Sequence, residues 1–196
     1  MTTIVLVRHA ATAWSGRRYA GRGDPPLTAS GRRDAEVLAA RLASNLPAAT
    51  RIVTSPSRRA NETAAIVAAR MAPIVLETDE RWLEADFGAF EGLTFDEIDA
   101  RDPSLAARLA AGDVDIDWPG GESAMALHHR VSEAWAALLA DARPTIVVSH
   151  AGPIRIALAL ATDRTPSEVA LPAPAEAIAL EMGPARRTDP ARHAGP

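Results

Sequence analysis

Two histidines and two arginines in this sequence could together bind and attack a phosphoryl group. Arg8 and His9 are adjacent, whereas Arg59 and His150 lie far along the chain. The planar fork of arginine matches phosphate oxygens, and a neutral imidazole can act as a nucleophile toward phosphorus. We therefore predict that His9 is phosphorylated transiently while Arg8 and Arg59 clamp the phosphoryl group. His150, if protonated, would add positive charge at the phosphoryl oxygens.

A carboxylic acid is needed to protonate the leaving alkoxide. Glu84 lies between Trp82-Leu83 and Phe87 in the sequence, and an apolar setting raises the pKa of a carboxyl group. These neighbours indicate Glu84 as the proton donor, and as the base when water later attacks the phosphohistidine. A solvated acidic residue is the alternative interpretation of this position.

Metal chemistry is an alternative for the paired histidines. A metal site would need a third ligand, and neighbouring arginines would repel a cation, so we predict neither a metal nor another cofactor. The run Asp113-Val114-Asp115 leaves open a magnesium-dependent phosphatase with an aspartyl nucleophile, although that motif should follow a strand and here follows Ala110-Ala111-Gly112. The three other histidines receive no role: His128, His129 and His193.

Composition limits the class of protein. The chain has 196 residues, 47% of them hydrophobic, and a formal net charge of -4. These values favour a single domain over residues 1–182 and give no field that would attract nucleic acid. The absence of cysteine excludes disulfides and the thiolate nucleophile of the cysteine phosphatases. The first residues form neither a basic region nor a long apolar one, so we expect a cytoplasmic protein without a membrane span.

Strand and helix patterns alternate along the chain. Short apolar runs predict strands at 4–7, 51–54, 73–76, 145–149 and 177–182. Periodic apolar residues and capping signals predict helices after Thr28, from Ser55-Pro56 to about Met71, from Leu93 to about Gly112, after Ser123 and over 154–161. The alternation predicts an α/β fold, specifically a three-layer α/β/α sandwich with a mostly parallel central sheet.

The candidate chemical residues follow the predicted strands. Arg8 and His9 come directly after the first strand, Arg59 lies near the start of the helix after the second, and His150 follows the strand at 145–149. Ligands of parallel sheets bind beyond the carboxyl ends of the strands, so we expect these side chains at one edge. Residues 93–122 are expected to form a helical and loop insert near this site, and residues 183–196 a disordered tail.

Six segments, in order along the chain, carry a resemblance to a known family. They are Leu6–Thr12, Tyr19–Thr28, Ser55–Ala64, Leu83–Gly92, Pro119–Ser123 and Val147–Gly152. Together they resemble the histidine phosphatase superfamily, in the branch that contains the cofactor-dependent phosphoglycerate mutases and the phosphatase of alpha-ribazole phosphate. The resemblance implies a phosphoglycerate mutase-like fold and the same five residues: His9 as phosphate acceptor, Glu84 as proton donor, and Arg8, Arg59 and His150 as the phosphate pocket.

The resemblance also extends to weaker positions. It implies that Ser15, Gly21 and Ala151 contribute to binding of phosphate or substrate. Ala10 stands where the family usually has glycine, Ser15 where an asparagine often contacts phosphate, and Ala20 where serine or threonine is common. Ser15 still offers a hydroxyl donor for a phosphate oxygen.

Three functions remain open on these grounds. The first is a metal-independent phosphomonoesterase for a small phosphorylated metabolite, with alpha-ribazole phosphate or a sugar phosphate as candidate substrates and a homodimer as one candidate assembly. The second is a phosphoglycerate mutase-type phosphotransferase, which would need basic residues to retain a phosphorylated acid. Between Gly92 and Pro119 only Arg101 and Arg108 are basic, among seven aspartates and glutamates, so hydrolysis is favoured. The third is a phosphate-binding module without turnover.

Overall fold

The computed structural model describes residues 2–46, 49, 51–71 and 73–183. The strands in this part of the chain are β1 (Thr2–Arg8), β2 (Arg51–Thr54), β3 (Val75–Thr78), β4 (Thr145–Ser149) and β5 (Ala177–Met182). The α-helices are α1 (Ala29–Asn45), α2 (Arg58–Arg70), α3 (Phe95–Arg101), α4 (Pro103–Ala110), α5 (Ala124–Asp141) and α6 (Ala151–Thr162). None of these helices is long and apolar enough to cross a membrane. Residues 184–196 of the predicted disordered tail, with His193, lie outside the described residues.

The five strands form one sheet in the order β3-β2-β4-β1-β5. The neighbours β3 and β2, β2 and β4, and β4 and β1 are parallel, whereas β5 runs antiparallel to β1. One sheet face packs against α1 and α2, and the other against α5 and α6. The prediction of a three-layer α/β/α sandwich with a mostly parallel sheet is confirmed.

The central strands are apolar on both faces, as expected for a covered parallel sheet. In β1, Ile4 and Leu6 face α5 and α6, while Val5 and Val7 face α1 and α2. All four side chains are at most 2% exposed. Burial on both sides fixes the position of this strand, and with it the position of the residues that follow its carboxyl end.

Two helix boundaries differ from the sequence prediction. Helix α2 begins at Arg58 with Ser57 as N-cap, not at Ser55-Pro56, because the Arg58 backbone N–H donates to the carboxylate of Asp24 and the Ser55 hydroxyl contacts the ring of His150. Helix α6 begins at Ala151, directly after His150, rather than at 154.

The middle of the chain also departs from the prediction. The single helix expected at 93–112 is two helices, because Asp102 ends α3 and its carboxylate accepts a hydrogen bond from Leu105 N–H at the start of α4. Strand β3 lies two residues beyond the predicted 73–76. The stretch 82–92, for which the sequence predicts neither a strand nor a helix, begins at the end of a short 3-10 turn, Glu80–Trp82, and contains another, Gly88–Phe90.

A close backbone contact ties α1 to the loop that follows β1. Thr28 caps α1 by accepting a hydrogen bond from Gly31 N–H, and its own backbone N–H donates to the carbonyl of Ala11 at 3.0 Å. A methyl group added at Gly31 would overlap the same Ala11 carbonyl oxygen. The start of α1 therefore fixes the loop two residues after His9.

We predict that Gly31→Ala lowers the free energy of unfolding by about 1–3 kcal/mol, because the added methyl group overpacks a rigid backbone contact. At an ordinary helical position the same exchange would stabilise the protein by about 0.5–1 kcal/mol. Urea unfolding measures the difference, with Arg33→Ala on the exposed face of α1 as the control. A stabilised Gly31→Ala variant would contradict the close contact.

Candidate active site

The strand order places the two candidate histidines side by side. Arg8 at the end of β1 is in register with Ser149 at the end of β4, and the His9 N–H donates to the Ser149 carbonyl at 2.9 Å. The rings of His9 and His150 consequently lie 5.0 Å apart, centre to centre, and tilted by 58°. The next strand, β2, leads into the turn before α2, which supplies Arg59.

Two hydrogen bonds define the state of the His9 ring. Its Nδ1 lies 2.8 Å from the carbonyl oxygen of Ala10, which can only accept, so Nδ1 carries the proton. Its Nε2 accepts from Nε of Arg59 at 3.2 Å, which requires a lone pair there. Burial, followed by the positive charges of Arg59 and Arg8, lowers the pKa of His9 to about 3. The imidazole is therefore neutral near pH 7, with its nucleophilic nitrogen on the Arg59 side.

Arg59 is almost closed to solvent, with 1% of its side chain exposed. Its terminal nitrogens donate to the carbonyls of Gly21 and Gly23 at 2.7 and 2.6 Å. Thr63 connects it to the His9 loop, because the Thr63 hydroxyl donates to the Arg59 carbonyl and accepts from Ala10 N–H. The neighbouring Arg58 is 57% exposed and pairs with Glu62, so the two adjacent arginines have the different environments that helical geometry predicts.

Arg8 and His150 each carry a buried nitrogen that has no hydrogen-bond partner among the described residues: Nε of Arg8 and Nδ1 of His150. The other His150 nitrogen, Nε2, contacts the hydroxyls of Ser55 and Ser57 at 2.8 and 3.3 Å. Unpaired buried donors are unfavourable, and oxygens of an anion could satisfy them. Burial and then the charge of Arg59 lower the pKa of His150 well below its usual value. The lowered pKa of His150 favours the neutral ring, whereas the protonated one was considered from the sequence.

The carboxylate of Glu84 lies at the start of α6. It accepts hydrogen bonds from the N–H groups of Gly152 and Ala85, both at 3.1 Å. Burial of the carboxyl group nevertheless raises its pKa, and outweighs these hydrogen bonds and the charges of Arg59 and Arg8. Desolvation therefore favours the protonated acid, as the apolar neighbours in the sequence indicated.

The other three candidates, Ser15, Gly21 and Ala151, make different contacts. The hydroxyl of Ser15 accepts from Thr12 N–H at 2.9 Å and so stabilises its own loop. Gly21 contributes its carbonyl to Arg59, and Ala151 lines a cavity next to Glu84. Ala10 is buried, and its φ is not in the positive range that favours glycine. Alanine is therefore accommodated at this position without backbone strain.

The cavity beside Glu84 has a volume of about 170 Å³. Its walls come from the first turns of α6, the beginning of α5 and the insert at 93–122, whose apolar side chains form their own small core around Phe90 and Ile98. The insert contributes Leu109, Val114 and Trp118 to this wall. Arg155 of α6 also lines this cavity, where burial and then the charge of Arg8 lower its pKa.

Sequence reasoning missed Arg130, which lies far along the chain from Glu84. Its guanidinium donates to the carbonyls of Arg81, Leu83 and Glu84 at 2.8, 2.7 and 3.1 Å. It also forms a bidentate ion pair with Glu122, with N–O distances of 2.7 and 2.8 Å. Arg130 and Glu122 together fix the backbone that carries Glu84. The only signal in the sequence was Glu122 within Pro119–Ser123, and no pattern links it to Arg130.

Comparisons with known proteins agree on one family. A sequence model of the histidine phosphatase superfamily (branch 1) matches residues 4–186. The Bifunctional protein Rv2228c of Mycobacterium tuberculosis is 40% identical over 165 residues, which cover 83% of this chain but 44% of that protein, so the chain spans less than half of this relative. The Phosphoglycerate mutase-like protein 4 of Arabidopsis thaliana is 33% identical over 78% of this chain and 67% of its own length.

Among solved structures, the fold matches the mycobacterial glucosyl-3-phosphoglycerate phosphatase Rv2419c in complex with VO3. The TM-score is 0.81 at 30% sequence identity, over 92% of this chain and 93% of that one. YhfR of Bacillus stearothermophilus gives a TM-score of 0.80 at 31% identity, over 93% and 92% of the two chains. The sheet and both helical layers thus belong to a fold that phosphatases use.

We predict that Arg130 acts as a positioning residue for Glu84. Arg130→Met should lower kcat for an alkyl phosphate about tenfold to a hundredfold more than kcat for p-nitrophenyl phosphate, because nitrophenolate leaves without a proton. Arg130→Lys should restore only part of the loss, since one ammonium group cannot reproduce the guanidinium contacts. Steady-state kinetics on both esters measures this difference.

The control for this prediction is Arg143→Met, which removes an exposed two-pronged ion pair with Asp141 outside the site. It should leave the ratio of the two rates unchanged. Equal losses on both esters in Arg130→Met would show a general structural role and contradict the positioning of Glu84.

Proposed function

Because the chain belongs to the histidine phosphatase superfamily, we propose that it is a metal-independent phosphomonoesterase that passes its phosphoryl group through His9. One observation carries this proposal: the neutral His9 ring presents its Nε2 lone pair to the buried guanidinium of Arg59. Two arginines and a neutral imidazole in this arrangement suit a phosphate anion and an attacking nitrogen. The family and its solved phosphatases support a phosphatase or mutase activity.

In the first step, phosphate oxygens take hydrogen bonds from Arg8, from Arg59 and, in the His150 tautomer that is protonated at Nδ1, from this unpaired nitrogen. These oxygens compete with His9 for the Arg59 guanidinium and release the Nε2 lone pair. His9 Nε2 then attacks phosphorus, and the bond from phosphorus to the ester oxygen breaks. Glu84 gives its proton to that oxygen, so the alcohol leaves neutral and a phosphohistidine remains.

In the second step, water replaces the alcohol. The Glu84 carboxylate takes a proton from the water as its oxygen attacks phosphorus, and the bond between phosphorus and His9 Nε2 breaks. Inorganic phosphate leaves, and both His9 and Glu84 return to their neutral forms. The hydrogen bond from Nδ1 to the Ala10 carbonyl keeps Nε2 as the reacting nitrogen throughout.

The contacts of the insert favour hydrolysis over a mutase reaction. Arg101 donates to the Ala89 carbonyl, and Arg108 pairs with Asp113 at 2.7 Å and donates to the Asp115 carbonyl. Neither of these bases is free to retain a second acidic group. The matching phosphatase structure supports the same choice.

The ion pair of Asp113 also weakens the aspartyl-nucleophile alternative, since Asp113 follows helix α4 rather than a strand. An assay for turnover distinguishes the third alternative, a binding module without turnover, from an enzyme. The substrate we propose is a small phosphomonoester.

We predict that the chain hydrolyses p-nitrophenyl phosphate and that EDTA leaves the rate unchanged. His9→Ala should lower kcat about a thousandfold or more, because no second nucleophile replaces the imidazole. Vanadate should inhibit competitively by occupying the phosphoryl position. The matched control is His129→Ala, because this histidine on α5 is 75% exposed, and its loss should have little effect on this ester. An inactive wild-type chain that still binds phosphate would favour the binding module, and inhibition by EDTA would favour the metal-dependent alternative.

We predict that kcat/KM for an alkyl phosphate falls as the pH rises through the raised pKa of Glu84, because only the protonated carboxyl can serve the leaving oxygen. On the acid side, His9 stays neutral down to about pH 3. Glu84→Gln should lower kcat/KM about a hundredfold or more and remove the alkaline decline. A pH profile of both proteins tests this. If kcat/KM of Glu84→Gln shows the same alkaline decline, a group other than Glu84 is responsible for it.

A further inference from the structure

The cavity beside Glu84 is lined mainly by apolar side chains. Resting on the proposed phosphatase function, we propose that the chain prefers phosphomonoesters of apolar alcohols, with a body the size of one aromatic ring, over esters of polyhydroxylated alcohols. Glu84 lines this cavity and is the proton donor proposed for the ester oxygen. A bound ester would therefore place its alcohol in the cavity.

Apolar side chains from several segments form most of the cavity wall: Phe87, Val114, Ile116, Trp118, Leu127 and Ile156. The rings of Phe87 and Trp118 stack with centres 4.0 Å apart and give the wall a flat aromatic surface. The volume is about 170 Å³. An apolar cavity of about 150 Å³ in another protein stays dry and binds benzene, so this one can accept a single ring.

The polar groups of the cavity are poorly suited to sugar hydroxyls. None of the described residues that line it is a serine, threonine, asparagine, glutamine or tyrosine. Asp113 is already paired with Arg108, while Asp115 and His128 are exposed to solvent. Arg155 donates to the carbonyl of Pro166 at 3.1 Å, so one of its terminal nitrogens is already paired. A polyol would leave hydroxyls unpaired against apolar walls, which is unfavourable.

The test compares 2-phenylethyl phosphate with glycerol 3-phosphate, whose leaving alcohols have similar acidity and therefore make similar demands on Glu84. We expect kcat/KM to favour the phenylethyl ester by about tenfold to a hundredfold, the effect of burying one ring. Val114→Thr and Leu127→Asn introduce polar atoms into the wall without changing the number of side-chain heavy atoms, and each should reduce this preference severalfold. Val75→Thr, on the exposed face of β3, is the matched control and should not change it.

The outcomes separate this inference from the proposed function. If p-nitrophenyl phosphate is hydrolysed but the phenylethyl ester is not preferred, the inference is wrong while the phosphatase function stands. A preference that survives both wall variants unchanged would also overturn it, since the cavity would then not be its source. A chain that hydrolyses none of the three esters would overturn the proposed function, and this inference with it.

Discussion

Arg59 donates from a nearly closed position to His9 and to the carbonyls of Gly21 and Gly23. A buried cation is unfavourable without partners, and these neutral acceptors satisfy its donors without neutralising its charge. The nearest carboxylate, that of Asp24, is 3.9 Å away. The guanidinium therefore keeps a positive field inside the protein. That field contributes to lowering the pKa of both His9 and His150 and leaves an environment that an anion would stabilise.

Burial shifts the pKa values of two groups in opposite directions: that of His9, the proposed phosphoryl acceptor, and that of Glu84, the proposed proton donor. It lowers the pKa of His9 and raises the pKa of Glu84. Both groups are consequently in their neutral forms over a shared pH range, with a lone pair on the imidazole and a proton on the acid. Environments that separate pKa values in this way are typical of paired catalytic roles. Arg130, which is paired with Glu122, holds Glu84 in place through its backbone carbonyl rather than through its carboxyl group.

The sequence could predict those parts of the fold and site that local patterns determine. The strands β1 and β4 are continuous apolar runs, so Arg8, His9 and His150 could be placed at one sheet edge. The start of α2 could not be predicted, because the Ser55 hydroxyl that looked like its cap contacts the His150 ring, and Asp24 accepts from the N–H of Arg58 instead. The contacts of Arg130 join it to residues 46 to 49 positions away, with no periodic signal. The break at Asp102-Pro103 was missed by the prediction of a single helix, although an aspartate cap followed by proline is a typical helix start.

The proposed mechanism depends on Nε2 of His9 as the atom that accepts phosphorus. The direct measurement is to mix the protein rapidly with substrate, quench in alkaline denaturant to preserve phosphohistidine, and locate the phosphoryl group by peptide mass spectrometry and nitrogen-phosphorus NMR. We expect one phosphoryl group on Nε2 of His9, because Nδ1 is bound to the Ala10 carbonyl. A phosphoryl group on Nδ1, on His150 or on Asp113 would contradict it.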